Sequence, residues 1–190
     1  MAMTTNEQRA SLRVLVVGNT GSGKTTLARE IANRLGLPHV ELDELFWGPS
    51  WIANPEEHFR ESVRAALSGG RWVACGNYHK KLQDLTWRHA DVIVWLDLPR
   101  NVSLLQLIQR TLRRIARRQA LWHGNRETFR NVFFSRESLL VWWWKVQRME
   151  PGRTLERLST APQAKVIRLT SKREVAGWLE SLDYSVDTLP

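Results

Sequence analysis

The sequence predicts an open, mostly parallel α/β sheet, on three observations. A short apolar run, Leu12 to Val17, leads straight into a glycine-rich loop and then a helical pattern. The segment Asp91 to Asp97 (DVIVWLD) is almost continuously apolar, as a strand buried on both faces must be. Strand-like and helix-like segments then alternate along the chain, the order that places parallel strands side by side through right-handed crossovers.

The elements follow in order. Leu27, Ile31 and Leu35 recur every four residues after the glycine loop, and Gly36 followed by Pro38 ends that helix before a second strand at His39 to Leu42. Asn54-Pro55-Glu56-Glu57 has the makings of a helix start, with Asn54 as the cap, and Ser68-Gly69-Gly70 stops the helix. Strands are expected at Arg71 to Cys75 and at Asp91 to Asp97. The long helix that follows carries an apolar stripe of Leu104, Ile108, Leu112 and Ile115, with Arg110, Arg114 and Arg118 on another face. Ser138 to Met149 reads as a helix containing Trp142, Trp143 and Trp144, broken by Pro151-Gly152. Ala164 to Leu169 is the last strand, and Ser171 with Glu174 forms a capping box that opens a final helix through Leu182. Residues 1–11 are a polar tail, and the 190 residues suit one domain around one core.

Composition narrows the function classes. With 43% hydrophobic and 25% charged residues the chain is an ordinary globular one rather than disordered or fibrous. A single cysteine, Cys75, excludes an internal disulfide and a multi-cysteine zinc site. His79, His89 and His123 lack metal-ligand spacing. The N-terminus has no secretory apolar stretch and no segment is long enough to span a membrane, so a cytoplasmic location is expected.

Gly18-Asn19-Thr20-Gly21-Ser22-Gly23-Lys24-Thr25 satisfies G-x-x-x-x-G-K-[ST] in full, in the strand, loop, helix context that the motif requires. Such a loop wraps a triphosphate with backbone N–H groups, and the glycines remove the Cβ atoms that would block tight curvature. Lys24 is placed to reach the β- and γ-phosphates, and the Thr25 hydroxyl, followed by Thr26 in the first helical turn, to ligate Mg²⁺. ATP and Mg²⁺ are therefore the expected cofactors. No D-x-x-G after a strand and no N-K-x-D follows, which excludes a GTPase, and the chain is short for a motor or transporter ATPase.

Other candidates lie just after strands, where open α/β sheets bind ligands. Asp43 either caps the turn before Leu45-Phe46-Trp47 or binds an acceptor and takes its hydroxyl proton, with Trp47 nearby. Gly76-Asn77-Tyr78 opens onto the same crevice, as a plain turn or as acceptor contacts. Asp97 holds a magnesium-bound water or merely caps its loop.

The net charge is +9, and Arg100 to Arg136 holds nine arginines against one acid, Glu127. Five of those arginines fall between Arg110 and Arg118, where they repel one another unless an anion is present. The segment is read as a device that closes on a phosphate, delivering arginines to a transferring phosphoryl group. A nucleic-acid surface is the less favoured alternative. Of the ten tryptophans, Trp72 and Trp95 lie in strands and belong to the core, while at least one of Trp142 to Trp144 must face outward.

These residues resemble small P-loop kinases of the adenylate-kinase and shikimate-kinase type, and in particular the bacterial adenylate-kinase-like, FlaR-related "DNA topology modulation" proteins. The likeness runs from the P-loop through LDELFW, RWVACGNY and DVIVWLDLPR to the arginine-rich helix and VIRLTSKREV. It implies a nucleoside-monophosphate-kinase-like P-loop fold, with a five-stranded parallel sheet in the order 2-3-1-4-5 and an arginine-rich lid near residues 115–135. It implies ATP-dependent phosphorylation of a small-molecule or nucleotide acceptor, with Arg110 and Arg114 as lid arginines and Asp43 as the acceptor-side carboxylate. The stretch Thr170 to Arg173, including Ser171 and Arg173, is where such kinases contact adenine. Cys75 stands where related sequences often carry an acid, and the arginine set of an AMP acceptor site is missing. The rival functions are a nucleic-acid-binding regulatory ATPase and a nucleotide-gated interaction protein without kinase activity; the sequence leaves monomer or dimer open.

Overall fold

A computed structural model describes residues 11–127 and 150–184. Five strands form one parallel sheet in the order β2-β3-β1-β4-β5: β1 (Leu12–Gly18), β2 (His39–Glu41), β3 (Arg71–Cys75), β4 (Val92–Leu96) and β5 (Lys165–Leu169). The central strand β1 pairs with β3 through Val16 opposite Cys75, and with β4 through Gly18 opposite Leu96. This register brings Gly18, Cys75 and Leu96 to one end of the sheet, where the loops meet. All five residues of β4 are buried, which explains its lack of alternation.

Helices cover both faces. Against one, α1 (Lys24–Leu35) and α7 (Lys172–Tyr184) pack Leu27, Ile31, Trp178 and Leu182 onto Val14, Val16, Val73 and Val94. Against the other, α3 (Glu56–Ala66) packs Phe59 and Val63 onto Leu15, Trp72, Ala74, Ile93 and Trp95. Trp72 and Trp95 are core, as expected. The short helices α2 (Leu42–Phe46) and α4 (His79–Leu82) follow β2 and β3, the long α5 (Arg100–Ala116) follows β4, and α6 (Glu150–Leu158) precedes β5.

Several local expectations need correction. β2 stops at Glu41, and Leu42 opens α2, because its side chain is buried at the helix start. Pro55, not Asn54, stands at the cap of α3; the Asn54 amide instead donates to the Leu45 carbonyl at 2.9 Å. The buried line of α5 is Ser103, Leu107 and Thr111, one helical step away from the expected stripe, and Leu112 is 43% exposed. That shift lets the α5 backbone approach the glycine loop. Ser171 does cap α7, accepting from the Glu174 N–H at 3.2 Å, while Glu174 accepts from Thr170 N at 2.8 Å. Pro151-Gly152 falls inside α6 rather than before it. The expected tail residues 1–10, residues 128–135 of the lid, the helix at Ser138 to Met149 and Trp142 to Trp144 lie outside the described residues. Among the described residues no helix is long and apolar enough to cross a membrane.

Candidate active site

The glycine loop is shaped by what surrounds it. Gly18 has φ +146, and a Cβ there would lie 2.4 Å from the Leu96 carbonyl oxygen; Gly21, at φ +84, would meet the Ser103 carbonyl oxygen at 2.3 Å. Both contacts are backbone, so neither neighbour can yield. Gly23, at φ +94, meets nothing within 4 Å. Its absent side chain keeps the mouth of the loop open where α1 begins. Asn19 and Ser22 are buried within the loop, Thr20 is half-buried, and Thr26 is exposed on the first turn of α1. Lys24 arches over the loop, its Nζ donating to the carbonyls of Gly18 at 2.9 Å and Asn19 at 3.0 Å.

Asn77, read from the sequence as part of a plain turn or as an acceptor contact, hydrogen-bonds to this loop. Its Nδ2 donates to the Gly18 carbonyl at 2.7 Å and its Oδ1 accepts from the Gly18 N–H at 3.3 Å. It therefore clamps both polar groups of the first motif residue. Gly76 makes the turn possible, since a Cβ there would lie 3.0 Å from Leu42 Cβ at φ +144.

Sequence reasoning passed over Glu41. The Thr25 hydroxyl donates to Glu41 Oε1 at 2.8 Å. Burial pushes the Glu41 carboxyl above its usual range, with Thr25 pulling the other way and Asp43 adding to the rise. The signal was present: Glu41 and Asp43, two residues apart at a strand end, form an acidic pair at the crevice. Cys75 lies 4.0 Å from Thr25 Oγ1 and 3.6 Å from His39 Nε2, and burial pushes its thiol up to about 12, so it remains neutral.

Asp43 sits on α2, and its Oδ1 accepts the Tyr78 hydroxyl at 2.6 Å. Burial, then the Asp43 charge, pushes the Tyr78 phenol up, so it donates at any working pH. Tyr78 packs on Phe46 and Phe59 at 4.8 and 5.1 Å between ring centres, and Trp47 lies edge-on to Phe46 at 4.9 Å. The aromatic line continues from Trp47 to Trp51 and on to Trp122.

The arginines of α5 are not without acids. Arg114 Nη1 donates to Glu127 Oε1 at 2.9 Å. The Arg110 guanidinium is lowered from its usual range by burial and by Arg114, while Glu127, Asp43 and Glu41 oppose that shift, although the residue as a whole is exposed. Arg110 and Arg114 thus repel each other, and Glu127, the acid of the same Arg100 to Arg136 segment, offsets the charge of Arg114. Asp97, read from the sequence as holding a magnesium-bound water or capping its loop, accepts from Arg168 Nε at 2.9 Å across the β4–β5 edge. Arg168 in turn lies 4.6 Å over the Trp95 ring.

A cavity of about 450 Å³ opens beside α5 and the start of α7, lined by Pro99, Val102, Leu105, Gln109, Thr170 and Ser171. Lys172 also lines it, whereas Arg173 does not. Among the described residues no group of three or more His, Cys, Asp and Glu side chains could hold a metal ion unaided.

Comparison with known proteins agrees with this geometry. Residues 14–96 match the family described as "ATPase family associated with various cellular activities (AAA)". A cytidylate kinase of Nitratidesulfovibrio vulgaris is 39% identical over 57 residues, which are 30% of this chain and 25% of that protein. The match thus spans a quarter of the length of that curated relative. Among solved structures, the shikimate kinase of Acinetobacter baumannii in complex with shikimate superposes with a TM-score of 0.57 at 15% identity, covering 94% of each chain. The shikimate kinase of Bacteroides thetaiotaomicron gives 0.52 at 17% identity, covering 91% of this chain and 97% of its own. The glycine loop, the 2-3-1-4-5 parallel sheet and these superpositions together give the chain a P-loop NTPase fold of the kind seen in shikimate kinases.

Proposed function

We propose that the chain is an ATP-dependent kinase that transfers the γ-phosphoryl group to a hydroxyl of a small-molecule or nucleotide acceptor. One observation carries this reading: Thr25 of a complete phosphate loop hydrogen-bonds to Glu41, and two residues further on Asp43 holds the Tyr78 hydroxyl. The cytidylate and shikimate kinase likenesses and the resemblance to topology-modulation proteins support it. An ATPase without an acceptor has no need of the Asp43 and Tyr78 pair.

In this reading the loop's backbone N–H groups, apart from that of Gly18, which Asn77 holds, and that of Ser22, which bonds Asn19, bind the phosphates together with the Lys24 ammonium. The cavity bordered by Ser171 takes the adenine. Arg110 and Arg114 bring positive charge to the transferring group, as part of a lid around 115–135. Tyr78 fixes Asp43 through Oδ1, and Asp43 orients the acceptor hydroxyl and receives its proton. The acceptor oxygen forms a bond to the γ-phosphorus as the bond to the ADP oxygen breaks. Thr25 and Glu41 offer hard oxygen donors of the kind Mg²⁺ prefers, and the buried Glu41 carboxyl would regain its charged form beside a cation. When bound, Mg²⁺ supplies neutralisation of the phosphate charge.

The test is ADP release from Mg·ATP across nucleoside monophosphates, nucleosides and small hydroxylated metabolites, with Asp43→Asn as the acceptor-side control. One acceptor should raise turnover well above background, and Asp43→Asn should remove that rise. ATP binding with no acceptor response, together with salt-sensitive DNA binding, would favour a regulatory ATPase instead.

A further inference from the structure

Arg110 and Arg114 stand one helical turn apart on α5, and burial, then the like charge of Arg114, depresses Arg110. Arg114 meets Glu127 at 2.9 Å, with side chains only 20% and 11% exposed. The second Glu127 oxygen, Oε2, is buried and has no hydrogen-bond partner among the described residues.

Arg114 alone does not set the position of Glu127. The preceding turn is closed on itself by the Leu121 N–H to Asn125 carbonyl bond and the pairing of Ala120 with Arg126. It is fastened to the segment after α2 by Asn125, which is 5% exposed and uses both ends of its amide. Oδ1 accepts from Trp51 N at 3.1 Å, and Nδ2 donates to the Gly48 carbonyl at 2.9 Å. The Trp51 indole donates to the Arg126 carbonyl at 3.3 Å, and His123 Nε2 lies 3.2 Å from the Glu44 carbonyl oxygen. Glu127 thus follows directly on an anchored turn.

We propose that Glu127 sets the nucleotide affinity of this site: its carboxylate takes the place of a phosphate oxygen on Arg114, and the turn anchored by Asn125 holds it there. An arginine fork accepts carboxylate and phosphate in the same geometry, so the two compete for one guanidinium. An oligophosphate must displace Glu127 to gain Arg114, and the turn must yield to allow it. The inference rests on the reading of Arg114 as a phosphate-facing residue. A buttress, in which Glu127 merely steadies Arg114 for phosphate, predicts the opposite sign.

The experiment measures the Kd of the full chain for the Mg²⁺ complex of a non-hydrolysable ATP analogue, by calorimetry at one fixed ionic strength. Glu127→Gln should tighten binding about fivefold, because a negative charge beside the anion site is gone. Asn125→Ala should tighten it in the same direction and by less, and it decides the matter if Glu127→Gln fails to fold. Arg114→Ala should weaken binding about tenfold, as expected for loss of a charge-assisted contact. Unchanged or weaker binding by Glu127→Gln, with Arg114→Ala still damaging, overturns the role of Glu127 and leaves the kinase reading standing. No effect of Arg114→Ala removes the phosphate role of Arg114 and the inference with it. A purely structural Glu127 would lower thermal stability without tightening the nucleotide.

Discussion

The two ends of the crevice are built in opposite ways. At the phosphate end eight consecutive residues, Gly18 to Thr25, make the loop, and the rest of the molecule packs against it and holds its two ends through Asn77 and Glu41. At the proposed acceptor end Asp43 on α2 and Tyr78 after β3 come from separate segments and meet only in the fold. The first end is specified by local backbone geometry, the second by side chains that satisfy one another at long range. Substitutions should therefore act on stability and nucleotide at one end, and on the acceptor at the other.

The sharpest contrast lies within the loop itself. Gly21→Ala drives a Cβ into the Ser103 carbonyl and should cost about 3 kcal/mol or more, or abolish folding, as read by thermal melting. Gly23→Ala meets no protein atom, so it should lose only about 1 kcal/mol to its positive φ while still crowding the phosphate and weakening ATP. Equal damage at both positions would break the distinction between packing against protein and space for ligand.

Asn77→Ala comes next. It strips partners from both polar groups of Gly18 and should cost about 2 kcal/mol, with weaker ATP binding and no selective effect on the acceptor. Had Asn77 faced the acceptor, the acceptor KM alone would move. Tyr78→Phe is the counterpart at the other end: it should lower acceptor-dependent turnover about tenfold while leaving the Kd for Mg·ATP unchanged.

Glu41 joins the two ends, and pH separates its roles. Burial raises its folded pKa above the usual 4.5, so the native state favours the protonated form. Its ionisation costs no stability below that value and an increasing amount as pH rises from it towards the folded pKa. Glu41→Gln should then raise the melting temperature at neutral pH, lose that advantage in acid, and reduce turnover. His39 acts with the opposite sign: burial lowers its pKa from 6.5, so its contribution to stability is lost as pH falls below that value. The smallest effect belongs to Asp97→Asn, which breaks a pair whose arginine is 55% exposed and should change stability by less than about 1 kcal/mol with activity intact. A large loss of magnesium-dependent turnover would return Asp97 to the metal.

The same contrast explains what the sequence could reveal. The strands, their mostly parallel arrangement and the P-loop follow from contiguous patterns such as LRVLVV, DVIVWLD and GNTGSGKT, whereas the order 2-3-1-4-5 was implied by the family resemblance. The line of burial on α5 did not follow from such a pattern, because Ser103 lies where the helix backbone closes on Gly21, a position set by close approach rather than by apolarity. Asn77, Asp97 and Arg114 were singled out as chemical residues, yet their partners, Gly18, Arg168 and Glu127, are 59, 71 and 13 residues away. Glu41 was legible in principle from its spacing to Asp43, whereas nothing local marks Asn125 as the residue that ties two loops together.

The most direct test of the central claim is calorimetric titration of Mg·ATP into the native chain and into Lys24→Ala, with circular dichroism confirming that both are folded. The native chain should bind one ATP, and Lys24→Ala should bind it at least about tenfold more weakly. Equal affinity in the two proteins would show that the loop is not the phosphate site, and the kinase reading would fall with it.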